Sequence, residues 1–196
     1  MVTPLDNLNR YSVILASGSP RRIELLRELG VRFTVRRASG VREDYPASLS
    51  PTEVAAYISR EKASYYKPQM GSDELIITAD TIVAKDGKVL GKPSDRDAAI
   101  AMLRFLSGAT HEVVTGVTCM TADRIETFSD VSYVTFAELS DEEAAYYVDT
   151  YRPYDKAGAY GIQEWIGLAC IRRIEGCYFN VMGLPTPRLY SLLRTF

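Results

Sequence analysis

The stretch VILASGSPRRIELLRELG, residues 13–30, decides the fold. An apolar run of strand length ends in small residues. Ile23, Leu25, Leu26 and Leu29 then recur at helical spacing, and Gly30 stops the helix. Strand, small-residue loop and helix N-terminus form the usual build of a phosphate site, because the first amides of a helix point outward and its dipole favours an anion. The first turn nevertheless carries two cations, Arg21 and Arg22. Each opposes the dipole by roughly 0.3–1 kcal/mol, and a bound polyphosphate reverses the sign of every one of these terms. Gly18 lets the backbone approach a ligand, and Ser17 and Ser19 offer hydroxyls, with Ser19 also placed to cap. The capping-box position three residues on is Arg22, not Glu or Gln. The Gly-Lys-Ser/Thr ending of a Walker A loop is missing.

Outward from this stretch the pattern alternates. VRFTVRR (31–37) reads as a half-buried strand, VREDYPASLS (41–50) as a loop, and Ser50-Pro51 opens a helix to about Lys67. ELIITADTIVA (74–84) is a continuous apolar strand of the kind buried on both faces. VLGKP leads into a loop, and SDRDAAIAMLRFLSG (94–108) is a helix capped by Ser94 or Asp95. Residues 110–139 form two long strands about an Ala122-Asp123 turn, and SDEEAAYYVDT is a helix with acids in its first turn. Residues 151–167 are irregular and rich in Gly and Tyr, LACIRRIEG reads as a strand, and the chain closes on a short helix. Interleaved strands and helices give an α/β domain spanning 1–196, cleft between two lobes.

The bulk numbers exclude several classes of function. The chain has 196 residues and a net charge of −2, so no basic face for DNA or RNA is expected. No apolar run reaches membrane-spanning length, and MVTPLDNLNRYS lacks a secretory pattern, so a cytoplasmic protein without a membrane partner is expected. Three cysteines without a CxxC pair read as buried free thiols, and one histidine, His111, cannot build a His-rich metal site.

Asp80 is the outstanding residue. A carboxylate inside a buried strand costs several kcal/mol unless paired or metal-bound, so it reads as a metal ligand or general base, against the alternative of a structural aspartate. Thr81 is either a strand residue or reaches the same ligand. Lys62, in SREKASYY, reads on sequence alone as a solvated helix lysine. Lys92, in LGKP, is a loop lysine able to meet phosphate. Glu43 is one of several loop acids. In DKAGAYGIQ (155–163), small residues and Gln163 suit close approach to a base or ribose, and an ordinary turn with an ion pair is the other reading.

LASGSPRRIELL, TADTIV, GKP, DKAGAYGIQ and NVMGLP occur in this order over nearly the whole chain. Together they resemble the Maf family of nucleoside triphosphate pyrophosphatases, once described as septum-formation inhibitors, and the DKAGAYGIQ segment is similar to its dTTP/UTP-cleaving branch. The resemblance implies a fold of the inosine-triphosphate-pyrophosphatase type, an elongated mixed sheet flanked by helices with a deep cleft between lobes. It implies a divalent cation, Mg²⁺ or Mn²⁺, and a homodimer. The implied reaction is hydrolysis of dTTP, UTP and modified pyrimidine triphosphates to nucleoside monophosphate and pyrophosphate. Motif by motif, Asp80 would be the proton acceptor for the attacking water. Arg21, Thr81 and Gln163 would select the base, Arg22, Lys62 and Lys92 would hold phosphates, and Glu43 with Asp80 would bind metal. Two positions depart from the common pattern. Arg42-Glu43-Asp44 replaces the more usual Asp-Glu, which leaves Glu43 and Asp44 as rival metal ligands. Glu164-Trp165 places bulk where a small residue is common and could reshape the base pocket. The alternatives are a 7-methyl-GTP or other modified-purine pyrophosphatase, and a non-catalytic nucleotide-binding regulator of division.

Overall fold

A computed structural model describes residues 4–37 and 43–196. A 3-10 turn at Asp6–Arg10 leads into β1 (Ser12–Leu15), α1 (Pro20–Glu28) and β2 (Thr34–Val35). Then come α2 (Pro51–Tyr66), β3 (Glu74–Lys85), β4 (Lys88–Leu90), α3 (Arg96–Leu106), β5 (Thr110–Met120) and β6 (Ile125–Phe136). The last third holds α4 (Asp141–Tyr151), α5 (Trp165–Cys170), β7 (Ile171–Glu175), α6 (Tyr178–Met182) and α7 (Thr186–Leu193). The strands form one seven-stranded mixed sheet in the order β2-β1-β3-β5-β6-β7, with β4 beside β3. β1 runs parallel to β2 and β3, and the other pairings are antiparallel. This is the helix-flanked mixed sheet expected from the sequence.

Three local expectations differ. VRFTVRR yields only the two-residue β2, exposed on both positions, because it lies at the sheet's edge. Lys88–Leu90 is a strand, pairing with β3 across the Asp86-Gly87 turn. The start of LACIRRIEG is helical, and the strand begins only at Ile171. Gly167 lies against the Ile162 carbonyl, so close that a β-carbon would overlap it. The contact is between residues five apart in a tightly wound segment, and apolar periodicity does not report it.

The cleft follows from the lengths of the central strands. The Leu75–Ala79 half of β3 and Val117 and Cys119 of β5 pack with α1, α7 and the N-terminal turn. Val83 and Val113, further along the same two strands, pack with α3, α4 and α5. Each lobe thus buries its own cluster against one half of the same strands. Between them β3 loses a neighbour. β1 ends at Leu15, opposite Ile77, and β4 starts pairing only at Val83. Among the described residues, one edge of β3 from Ala79 to Ile82 therefore has no strand beside it. Consecutive residues of a strand point to opposite faces, but at an open edge both can reach one cavity. Asp80 and Thr81 sit in that gap.

The cysteines are all free; Cys119 and Cys170 are buried and Cys177 is half-buried. Burial pushes the Cys119 thiol up to about 12, which makes it unreactive. His111 is buried, with Nε2 2.7 Å from the Tyr160 hydroxyl and Nδ1 without a partner among the described residues. Burial, with Lys85 nearby, lowers its pKa from 6.5 to about 4. The folded protein holds this ring neutral where the unfolded chain protonates it. Its contribution is therefore complete above about pH 6.5 and is lost as pH falls towards 4, by about 3 kcal/mol in total. Thermal unfolding between pH 7 and 4 should show a steeper loss of Tm in the parent than in His111→Gln, in which the carboxylates titrate as before. Parallel profiles would remove this role.

Candidate active site

The Ser17–Ser19 loop carries the chain from β1 into α1. Ser19 occupies the cap position of α1 but makes no capping bond with its side chain, and no acid stands in the first turn. Instead the Ser19 amide donates to Ser17 Oγ at 3.2 Å. The contrast with α2 and α4 is direct, since both begin with a complete Ser-Glu capping box. The positive pole of α1 is thus left open to a ligand.

Arg22 is committed to the protein. Nε donates to Gly183 O at 2.8 Å, Nη1 to Ala79 O at 2.8 Å and to Ser17 Oγ at 3.4 Å, and Nη2 to Thr81 Oγ1 at 3.0 Å. Ala79 O lies on the open edge of β3, so this guanidinium takes the place of the missing strand. Burial pushes the Arg22 pKa down, and the charge of Asp80 pulls it back up. A guanidinium has five N–H donors, so about one remains for a ligand. Thr81 is also constrained. Thr115 donates to Asn180 O at 2.9 Å and shares a 2.9 Å bond with Thr81. With the Thr115 proton so placed, Thr81 must donate to Thr115, and a lone pair is what Thr81 can offer a ligand.

Lys62 is not a solvated helix lysine. Its Nζ lies 2.7 Å from Asp80 Oδ1 and 2.7 Å from Glu43 Oε1, with 16% of the side chain exposed. The reason is the close seating of α2. Gly116 of β5 lies against the backbone at Ala55 and Ala56, where a β-carbon would overlap it. Val54, Ala55 and Ile58 then pack on Ile82 and Val114, and Lys62 one turn further on meets Asp80. Asp80 has 12% of its side chain exposed. A mostly buried ion pair is a poor source of stability, since desolvation offsets the attraction, and so points to function. Glu43 also meets Lys92 at 3.5 Å. Burial pushes the Glu43 carboxyl up, but Lys62 and Lys92 outweigh it and hold the group below its ordinary value. Asp44 is exposed and does not line the cavity, and Arg42 lies outside the described residues.

All ten residues singled out from the sequence line one cavity of about 480 Å³: Ser17, Ser19, Arg21, Arg22, Glu43, Lys62, Asp80, Thr81, Lys92 and Gln163. That volume suits a small-molecule ligand. Among the described residues, six cationic side chains and three carboxylates border it, an excess that favours a polyanion. Arg21 reaches from α1 across the cleft to Asp155, Nη1 to Oδ2 at 3.2 Å. Gln163 is exposed at the cavity rim. Glu164 and Trp165 do not line the cavity: Glu164 turns to Tyr147 and Lys156, and Trp165 packs edge-on to Tyr146.

Several contributors were not legible. Arg37 borders the cavity, its guanidinium beside Gly18, yet the sequence shows it only as a charge after an edge strand. Gly183 adopts φ 112° and offers its carbonyl to Arg22. Its place in the NVMGLP motif was the available signal. Asp155 and Lys156 were visible as a pair, but not as parts of the cavity wall.

Residues 12–196 match the family of Maf-like proteins. The chain is 56% identical over 190 residues to a dTTP/UTP pyrophosphatase of Phocaeicola vulgatus, covering 97% of this chain and 98% of the relative. It is 54% identical over 194 residues to one from Porphyromonas gingivalis, covering 98% of each. Among solved structures, a HAM1 protein from Coxiella burnetii superposes with a TM-score of 0.50 at 12% identity, over 95% of this chain and 100% of that one, a likeness of fold. With its full set of motifs gathered in one cleft, and relatives matched over nearly their whole length, the chain belongs to the Maf family.

Proposed function

We propose that the cleft binds a pyrimidine nucleoside triphosphate, dTTP or UTP, and hydrolyses it between the α and β phosphates, releasing nucleoside monophosphate and pyrophosphate. The observation that carries this reading is Asp80. It sits at the one open edge of the central strand, held through Oδ1 by Lys62, inside a cavity with excess positive charge. The relatives' names supply the substrate class.

The roles follow from the donors each residue has left. The open N-terminus of α1, Lys62, Lys92 and the remaining N–H of Arg22 attract the triphosphate. Asp80 Oδ2, unbonded among the described residues, accepts a proton from water and aligns it with the α-phosphorus. Thr81 offers a lone pair, which suits the N3–H of uracil or thymine and not the N3 of cytosine. Arg21 and Gln163 border the same cavity from opposite lobes and complete the base site.

Asp80 and Glu43 also fit a divalent cation. Both are hard oxygen donors bonded to the same ammonium, so one small cation can reach them together. Among the described residues no group of three or more His, Cys, Asp or Glu side chains gathers as a metal site. Two carboxylates completed by phosphate oxygens and water are the usual holding of Mg²⁺ or Mn²⁺. When bound, such an ion neutralises phosphate charge and lowers the barrier to attack.

A panel of nucleoside triphosphates, including 7-methyl-GTP, tested with Mg²⁺ and Mn²⁺, checks the reading. The highest kcat/KM should fall on dTTP and UTP. A maximum on 7-methyl-GTP, or nucleotide binding without pyrophosphate, would overturn it.

A further inference from the structure

Along the cavity wall and behind it, a line of charges joins the two lobes. Lys156 is buried, with Nζ 2.8 Å from Asp155 Oδ1 and 3.1 Å from Glu164 Oε1. The other oxygen of Asp155 takes Arg21 Nη1 at 3.2 Å. The other oxygen of Glu164 accepts the hydroxyl of the fully buried Tyr147, and that hydroxyl accepts the Gly161 amide at 2.9 Å. The Glu164 amide closes the turn by donating to Gly161 O at 3.0 Å. Within the turn space is tight: a β-carbon on Gly161 would lie 2.9 Å from Glu164 Cδ and 3.1 Å from Gln163 Nε2.

We propose that Lys156 is a positioning residue for base selection, the hub that fixes Arg21 and the Gln163 turn relative to each other. The proposal rests on the pyrimidine reading above and deepens it. Its two ends are residues assigned to the base, and they come from different lobes. A pocket built on such separate elements keeps its width only if something ties them. One ammonium between two carboxylates does so. Without it, Asp155 and Glu164 are left as like charges, Glu164 largely buried, and both the Arg21 contact and the turn lose their reference. The hydrolytic centre is separate: Asp80, Lys62 and Glu43 share no bond with this line. Loss of the hub should therefore change which base is accepted more than how the phosphate is cut.

The test is Lys156→Met in the full chain, with kcat and KM for UTP, dTTP, ATP and GTP, and hydrogen exchange at residues 161–163. Loss of one charge-assisted contact predicts a fall of about tenfold in the pyrimidine-to-purine ratio of kcat/KM, arising mainly in KM. Exchange at Gly161 should quicken, and Lys156→Arg should recover part of both. Equal losses on every nucleotide would make Lys156 a direct phosphate contact, and an unchanged ratio would make it structural; either overturns the proposal. If Lys156→Met does not fold, Glu164→Gln breaks the same line with its shape retained and carries the same expectations. If the parent cleaves no pyrimidine triphosphate, the functional reading fails, while slow exchange at Gly161 that quickens in the variant still establishes the tie. Unchanged exchange refutes it.

Discussion

Replacing Asp80 by Asn is expected to lower pyrophosphate release from UTP by about 10³-fold, the usual range for loss of a general base, with little change in Tm. The amide keeps the carboxylate's shape and can still accept a hydrogen bond from Lys62, so the local packing is retained. It cannot take a proton. Lys62 retains Glu43 at 2.7 Å, so its charge is not stranded. Binding of a non-hydrolysable UTP analogue should persist, because the cationic wall and the α1 N-terminus are untouched. Calorimetric binding with unimpaired turnover in Asp80→Asn would show that the base lies elsewhere.

Gly116→Ala is expected to be strongly damaging although it adds a single methyl group. The added methyl would enter the backbone of α2 at Ala55 and Ala56, and a backbone has no rotamer by which to yield. The helix must lift off the sheet, opening the contacts of Val54, Ala55 and Ile58 with Ile82 and Val114. Overpacking of this kind costs about 3 kcal/mol, or about 6–12 °C in Tm for a chain of this size. The same displacement draws Lys62 away from Asp80, so activity should fall in protein that is still folded. Calorimetry and kinetics on one preparation separate the two effects. A Tm within a degree of the parent would show that α2 is not seated on this glycine.

What was legible came from local rules. Residues 13–30 announced their strand, loop and helix through hydrophobic spacing, and two arginines at a positive helix pole announced an anion. Asp80 stood out because a lone carboxylate inside an apolar strand needs an explanation. Lys62 did not stand out, because a helix lysine carries no mark of the face it occupies. Only the approach of α2 over Gly116, a contact between distant parts of the chain, turns it inward. Arg22 was legible as a cation but not as a substitute for a strand, since that role needs the absence of a neighbour beside Ala79. The relay through Lys156 was hidden for the same reason: Tyr147 and Gly161 are joined by tertiary structure alone. Resemblance supplied the role proposed for each site residue, and geometry supplied the donors each has left.

In the proposed reaction, water attacks the α-phosphorus of a pyrimidine triphosphate at Asp80. UTP turnover in ¹⁸O-water, followed by ³¹P NMR, tests it most directly. The expected products are ¹⁸O-labelled UMP and unlabelled pyrophosphate, both lost in Asp80→Asn. Label in pyrophosphate, or formation of UDP and phosphate, would contradict it.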